Sequence, residues 1–207
     1  MNINGKPFID ILIKYLCTHG FRRFIISVGY RKEKIIEHFK YYKKCEIIFS
    51  EENKQLGTGG AIKHAKKYIQ SEKFFVTNGD SYITLDFFDL YQSHLKKNSF
   101  ITIAGIKTKA SFDVGLINID SNNRILSFKE KSLSDENHNY TNTGIYLFNY
   151  EVFNTFPTKL AFSIETDYFE KLDNVDFHLY QLNSVLYDIG TPKKLLVFQK
   201  YIKSKYG

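Results

Sequence analysis

Tryptophan is absent from these 207 residues, methionine occurs once, and there are only two cysteines and three prolines. Two thiols, Cys17 and Cys45, cannot build a disulfide framework. No CxxC or Cys/His ligand spacing occurs, which argues against a zinc site. Each cysteine lies in an apolar periodic segment, so buried free thiols are expected. The six histidines show neither metal spacing nor a paired base. No Ser/His/Asp or Cys/His arrangement offers a covalent nucleophile. No apolar stretch reaches about 18 residues, so no membrane-spanning helix and no membrane partner are expected. The opening MNINGKPFIDILIKYL is no signal peptide, because Asp10 and Lys14 interrupt its apolar run. A reducing cytoplasm is the expected location.

What is present fits a globular chain. Hydrophobic residues make up 43% and charged residues 25%, which excludes a disordered class. The length suits one compact α/β domain spanning residues 1–207. The formal net charge of +7 has two readings. It is the footprint of a nucleic-acid partner, or it follows from a general abundance of Lys beside Ile, Asn, Phe and Tyr. No long basic block or nucleic-acid motif occurs, so no nucleic-acid partner is expected. A basic surface still attracts anionic substrates such as nucleotides. Composition leaves a homo-oligomer open.

The first two-thirds of the chain alternate between helical and strand patterns. Phe8, Ile9, Leu12, Tyr15 and Leu16 recur at helical spacing between Pro7 and Gly20. Short apolar runs at 24–29, 45–50 and 73–78 read as buried strands. Helices are expected over about 31–42, 59–70 and 86–97. This βαβαβ rhythm marks a doubly wound sheet. Strands then follow at 100–107, 114–120, 124–130 and 143–148, with a hairpin turn at Asn122-Asn123. A helix over about 163–172, a strand at 177–182 and a helix over about 192–204 complete the pattern.

Three places depart from ordinary scaffold. QLGTGGAI, 55–62, joins a strand to a helix. Such a turn brings backbone close to a ligand, or is simply a tight connection. Its spacing to Lys63 is wrong for a P-loop. NGD, Asn78 to Asp80, ends a buried strand, where open α/β sheets bind ligands. A carboxylate there can hold a hard cation or cap a helix. Asp188, in YDIGTP, repeats that situation, and two such aspartates together suit one shared metal.

LGTGGAI, NGD, Glu130-Lys131, NTGIY and DIGTP stand in the order found in sugar-phosphate nucleotidyltransferases. The chain resembles that family, and within it the bacterial heptose-phosphate and mannose-phosphate guanylyltransferases. The resemblance implies a Rossmann-like, GT-A-like mixed sheet. It also implies a reaction joining a sugar 1-phosphate to a nucleoside triphosphate, with release of pyrophosphate, in nucleotide-sugar synthesis for surface polysaccharide. Asp80 and Asp188 match the aspartates that hold Mg²⁺. Gly57, Thr58 and Gly59 match the turn that packs on the base. Glu52 matches the position that reads the base edge. A carboxylate only accepts hydrogen bonds, and guanine presents N1–H and N2–H₂ together, so GTP is favoured. Gly115, Glu130, Asn142 and Thr143 match the sugar pocket, and Lys131 is implied as the catalytic cation on the sugar phosphate. Glu165 is a weaker candidate for that pocket, with a helix first-turn carboxylate as its plainer reading. A nucleotide-sugar-dependent glycosyltransferase, which typically carries DxD after the central strand, is not matched: Ser81 and Tyr82 follow Asp80.

The resemblance is incomplete at one end. The family opens with a strand, a GGxGTRL loop and a PKP segment, and MNINGKPF resembles the stretch just after PKP. The expectation is an N-terminally truncated domain lacking its first strand. The alternatives are a non-catalytic sugar-nucleotide-binding or regulatory homologue, and a site completed by another chain. The strands at 24–29 and 73–78 would then lose a shared neighbour, leaving unpaired edges or a rearranged sheet. The loop would cradle the leaving pyrophosphate, and loss of one such cation costs on the order of 10³–10⁵ in rate.

Overall fold

The computed structural model describes residues 2–3, 5–107, 115–130, 139–172 and 176–206. A small antiparallel ladder, β1 (Asn2–Ile3) with β2 (Lys6–Pro7), leads into α1 (Phe8–Thr18). Pro7 stands at the N-cap of α1, where the missing N–H costs nothing, and Gly20 follows the helix at a φ of 90°. Next come β3 (Arg23–Val28), α2 (Lys32–Phe39), β4 (Glu46–Glu51), α3 (Gly57–Ala65) and β5 (Lys73–Thr77). A two-residue strand, β6 (Ser81–Tyr82), precedes α4 (Phe87–Lys96), whose N-cap Asp86 accepts from the N–H groups of Phe88 and Asp89. The strands β7 (Ile101–Lys107), β8 (Leu116–Ile119), β9 (Ile125–Lys129) and β10 (Tyr140–Asn149) follow. The chain closes with β11 (Phe177–Leu182), β12 (Tyr187–Asp188) and α5 (Pro192–Tyr206).

Six strands form the main sheet in the order β11-β7-β10-β8-β9, with β5 paired to β10. It is mixed: β11 runs parallel to β7, and the other pairs are antiparallel. Side chains alternate across it with the two-residue period of a strand. On one face Ile101, Ile103, Tyr146 and Phe148 join Phe153, Phe162 and Phe169. On the other, Ala104, Ile145 and Leu147 meet Phe8 and Leu12 of α1, Leu90 of α4 and Phe198 of α5. Two hydrophobic layers thus sandwich the sheet, as the mixed α/β pattern requires.

β3 and β4 pair in parallel as a separate ladder, from Arg23↔Glu46 to Val28↔Glu51. Among the described residues β3 has no other ladder partner, and β5 pairs only with β10. The expected open edges are therefore present. Side chains join the two parts instead. Phe21 stacks edge-on against Phe75 at 5.3 Å, and Arg23 Nη1 donates to the Tyr68 carbonyl at 2.7 Å.

One expected helix does not form. Residues 163–172 are turns ending in a single 3₁₀ turn, Phe169–Lys171. Ser163 Oγ accepts from the N–H groups of Glu165 and Thr166, and Asp167 Oδ2 accepts from Ser163 N. These bonds occupy N–H groups that a first helical turn leaves unpaired; beyond them the backbone widens, with Phe169 N donating to Ile164 O at 2.9 Å and Glu170 N to Glu165 O at 3.0 Å, one residue longer than α-helical spacing. No helix among the described residues is long and apolar enough to cross a membrane.

Candidate active site

The end of β4 and the start of α3 form the first wall. Glu52 N donates to Val28 O at 2.8 Å, continuing the β3–β4 ladder by one residue. Glu52 Oε2 accepts from Leu56 N at 3.2 Å, which ties the carboxylate to the glycine-rich turn. Gly57 has a φ of 73°, and a Cβ there would stand 2.6 Å from the Phe162 carbonyl oxygen. Only glycine fits that position. Gly59 N and Gly60 N both donate to Phe162 O, at 3.0 and 3.1 Å. These two N–H groups hold the strap at 160–164, with Phe162 lying over Gly59, so this part of the turn serves as a tight connection.

Thr58 Oγ1 donates to Glu165 Oε2 at 2.6 Å and accepts from Ile164 N at 2.9 Å. Glu165 also accepts from Ser163 Oγ at 2.7 Å, and its carboxylate lies near the buried Tyr146 hydroxyl. Burial first, then the Glu165 and Glu130 charges, push the Tyr146 phenol far above its ordinary value, so it stays a donor. Asn142 Nδ2 donates to Tyr146 Oη at 2.9 Å, and Asn142 Oδ1 accepts from Gly144 N at 2.9 Å. Gly144, at φ 75°, lies under the Asn78 side chain, and Asn78 N donates to Gly144 O at 2.9 Å. A single run of contacts therefore joins the glycine turn, through Glu165, Tyr146 and Asn142, to the NGD segment.

Gly115 joins the same run. Its carbonyl accepts from Asn142 N at 2.8 Å, and the Glu130 carboxylate and Asn142 side chain crowd its α carbon. Glu130 N donates to Glu170 Oε1 at 2.6 Å. Thr143 is buried, 2% exposed, and its hydroxyl donates to Ala104 O at 2.7 Å. Its side chain therefore braces β10 against β7. Lys131 lies outside the described residues.

A two-residue ladder brings the backbones at Asp80 and Asp188 together. β12 pairs antiparallel with β6, with Asp188 opposite Ser81, and Ile189 N donates to Asp80 O at 3.0 Å. Asp188 Oδ2 accepts from Lys194 Nζ and Oδ1 from Gly190 N, each at 2.5 Å. Burial works against the Asp188 charge, but the Lys194 and Gly190 bonds outweigh it and hold the carboxyl below its usual range. Asp80 Oδ1 accepts only a long bond from Ser81 Oγ, at 3.3 Å. Among the described residues no cluster of three or more His, Cys, Asp and Glu could hold a metal. A carboxylate is a hard oxygen donor, so Asp80 and Asp188 each suit an ion that draws its remaining ligands from phosphates and water, as Mg²⁺ does.

Comparison with known proteins now bears on this arrangement. The family model described as nucleotidyl transferase matches residues 1–205. The chain belongs to the nucleotidyl transferase family. It is 34% identical over 193 residues to a D-glycero-alpha-D-manno-heptose 1-phosphate guanylyltransferase of Campylobacter jejuni, covering 92% of this chain and 84% of that protein. It is 30% identical over 203 residues to the enzyme of the same name from Aneurinibacillus thermoaerophilus, covering 97% and 87%. Among solved structures, HddC from Yersinia pseudotuberculosis complexed with GMP-PN superposes with a TM-score of 0.85 at 31% identity, covering 98% of this chain and 88% of that one.

Several residues of this nucleotidyl transferase site carry no sequence signal of their role. Tyr146 is one more aromatic in an apolar strand, and Phe162 stands about a hundred residues from the glycines it covers. Lys194 follows Pro192 in a Lys-rich helix start, where nothing distinguishes it from Lys193.

Proposed function

We propose that this protein transfers a guanylyl group from GTP to a sugar 1-phosphate of the heptose or mannose type, releasing pyrophosphate. The observation that carries the reading is the continuous run of contacts from Thr58 to Asn78, which gathers the motifs for base, sugar and metal at one end of the sheet. The names of the relatives support the same substrate class. In the reaction a sugar-phosphate oxygen attacks the α-phosphorus, the bond to the bridging oxygen of the β-phosphate breaks, and pyrophosphate leaves. The attacking phosphate is already an anion, so no covalent enzyme intermediate is required. Catalysis is positioning and charge neutralisation.

Each residue has a part in that scheme. Glu52 accepts from guanine N1–H and N2–H₂; a carboxylate has about four acceptor sites, and Leu56 N takes one. Gly57 and Thr58 form the surface under the base, and Gly59, buried beneath Phe162, lets the strap approach. Gly115, Glu130 and Asn142 face the sugar, Thr143 supports them through β10, and Lys131 pairs with the sugar phosphate. Asp80 and Asp188 hold Mg²⁺, which when bound neutralises the triphosphate charge. The reaction suits a cytoplasmic protein, where both substrates are made.

Calorimetry with non-hydrolysable GTP and UTP analogues tests the reading. Guanine is expected to bind at least about tenfold more tightly, since uracil leaves Glu52 facing an acceptor. Glu52→Gln should narrow that preference. Equal affinity for both bases, or no nucleotide binding, would sink the guanylyl assignment. Pyrophosphate release measured on the same protein with GTP and mannose or heptose 1-phosphate separates transfer from binding alone.

A further inference from the structure

At the other end of β4 from Glu52, about 20 Å away at strand rise, lies a second group of reactive side chains. Cys17 is the next-to-last residue of α1, and Cys45 immediately precedes β4. Both are free and half-buried. Arg22 brings them together. Its Nη1 donates to the Cys17 carbonyl at 2.7 Å, and its own carbonyl accepts from Glu46 N, next to Cys45, at 2.8 Å. The thiols adjoin: burial first, then Cys17, raise the Cys45 thiol to about 11. An open pocket of about 370 Å³ reaches Cys17, lined also by Lys14, Thr18, Arg22, Tyr42 and Lys44. The Tyr42 hydroxyl, beside both thiols, is buried and has no hydrogen-bond partner among the described residues. It is a donor placed where a thiolate would form.

We propose that Cys17 and Cys45 are a reversible thiol–disulfide pair, oxidised by a small anionic disulfide that enters through this cationic pocket. The Cys17 thiolate, which lines the pocket, attacks one sulfur of the incoming disulfide and expels one thiolate. Cys45, after losing its proton to water, attacks the Cys17 sulfur and expels the second. Two protein thiols and one disulfide thus become one protein disulfide and two small thiols, and excess thiol reverses the exchange. Lys14 and Arg22 are already partly engaged, by Asp10 and by backbone carbonyls, while Lys44 is exposed. Together they favour a carboxylate-bearing partner such as glutathione disulfide. The product would staple α1 to the foot of the β3–β4 ladder, which among the described residues has no ladder partner in the main sheet.

The test uses the native, full chain in a glutathione disulfide buffer, quenched in acid and mapped by mass spectrometry without reduction. The expected product is an internal Cys17–Cys45 disulfide, reversed by dithiothreitol, with a raised urea midpoint for the oxidised form. Cys45→Ser should stop at glutathione on Cys17. Cystamine, the same chemistry with the opposite charge, should react several-fold more slowly at low salt. The proposal is overturned if the native protein carries only mixed disulfides, or forms the internal bond only in urea, or reacts with cystamine as fast as with glutathione disulfide. None of these readings depends on nucleotide binding.

Discussion

Asp188 shows how much one side chain can be asked to do. It accepts from Lys194 and Gly190 N, and it stands beside Asp80. Lys194 already supplies a positive charge there, so a metal must displace it or share the carboxylate with it. Asp188→Asn removes the charge that both cations use. Mn²⁺ affinity in the presence of a GTP analogue, read by water relaxation, should fall at least about tenfold. An unchanged affinity would take Asp188 out of the metal site. The sequence made Asp80 and Asp188 candidates because each ends an apolar run. It could not show them adjacent, because β6 and β12 are two residues long and too short for any periodicity.

At the scale of elements, the docking of α3 under the strap at 160–164 decides the nucleotide wall. Gly57→Ala places a methyl against the Phe162 carbonyl in a backbone conformation that disfavours it. A loss of about 1–3 kcal/mol is expected from urea unfolding, together with weaker nucleotide binding. A variant of full stability would mean that the strap moves freely. Long periodic elements such as α1, α4 and β11 lie close to where their patterns put them, because burial and caps are local and repeat along the chain. The 163–172 segment failed for a physical reason. Its apolar spacing is helical, and Ser163, Asp167 and Thr58 satisfy its first N–H groups, but Phe169 and Glu170 donate five residues back rather than four, so no α-helical turn propagates. The Thr58 contact is remote in sequence, so no local pattern announces it.

For the whole molecule, two buried histidines, His94 on α4 and His178 on β11, set an acid limit. His94 lies between Thr102 Oγ1 at 2.8 Å and Asn149 Oδ1 at 3.0 Å, and His178 Nδ1 meets Ser99 Oγ at 2.9 Å. Burial is the main cause that lowers both from the ordinary histidine value. Below about pH 6.5 the unfolded chain takes up protons that these folded histidines resist. Stability is therefore complete above that pH, declines as pH falls through the folded values, and levels off below them. Urea midpoints at pH 7.5 and 5.5 should differ in that direction, and His94→Gln should flatten the slope. An equal slope in the variant would place the acid sensitivity elsewhere.

Among the described residues one side of β3 and one side of β5 have no ladder partner, and this has a practical consequence. A strand side without a ladder partner offers amides and carbonyls in register to any extended segment that drifts near. In concentrated solution the nearest such segment belongs to another copy, and slow filament formation would start there. Arg23 and Lys73, at the opening of each strand, oppose it by charge. Storage in high salt removes that protection, so dilute, low-salt stocks should outlast concentrated ones.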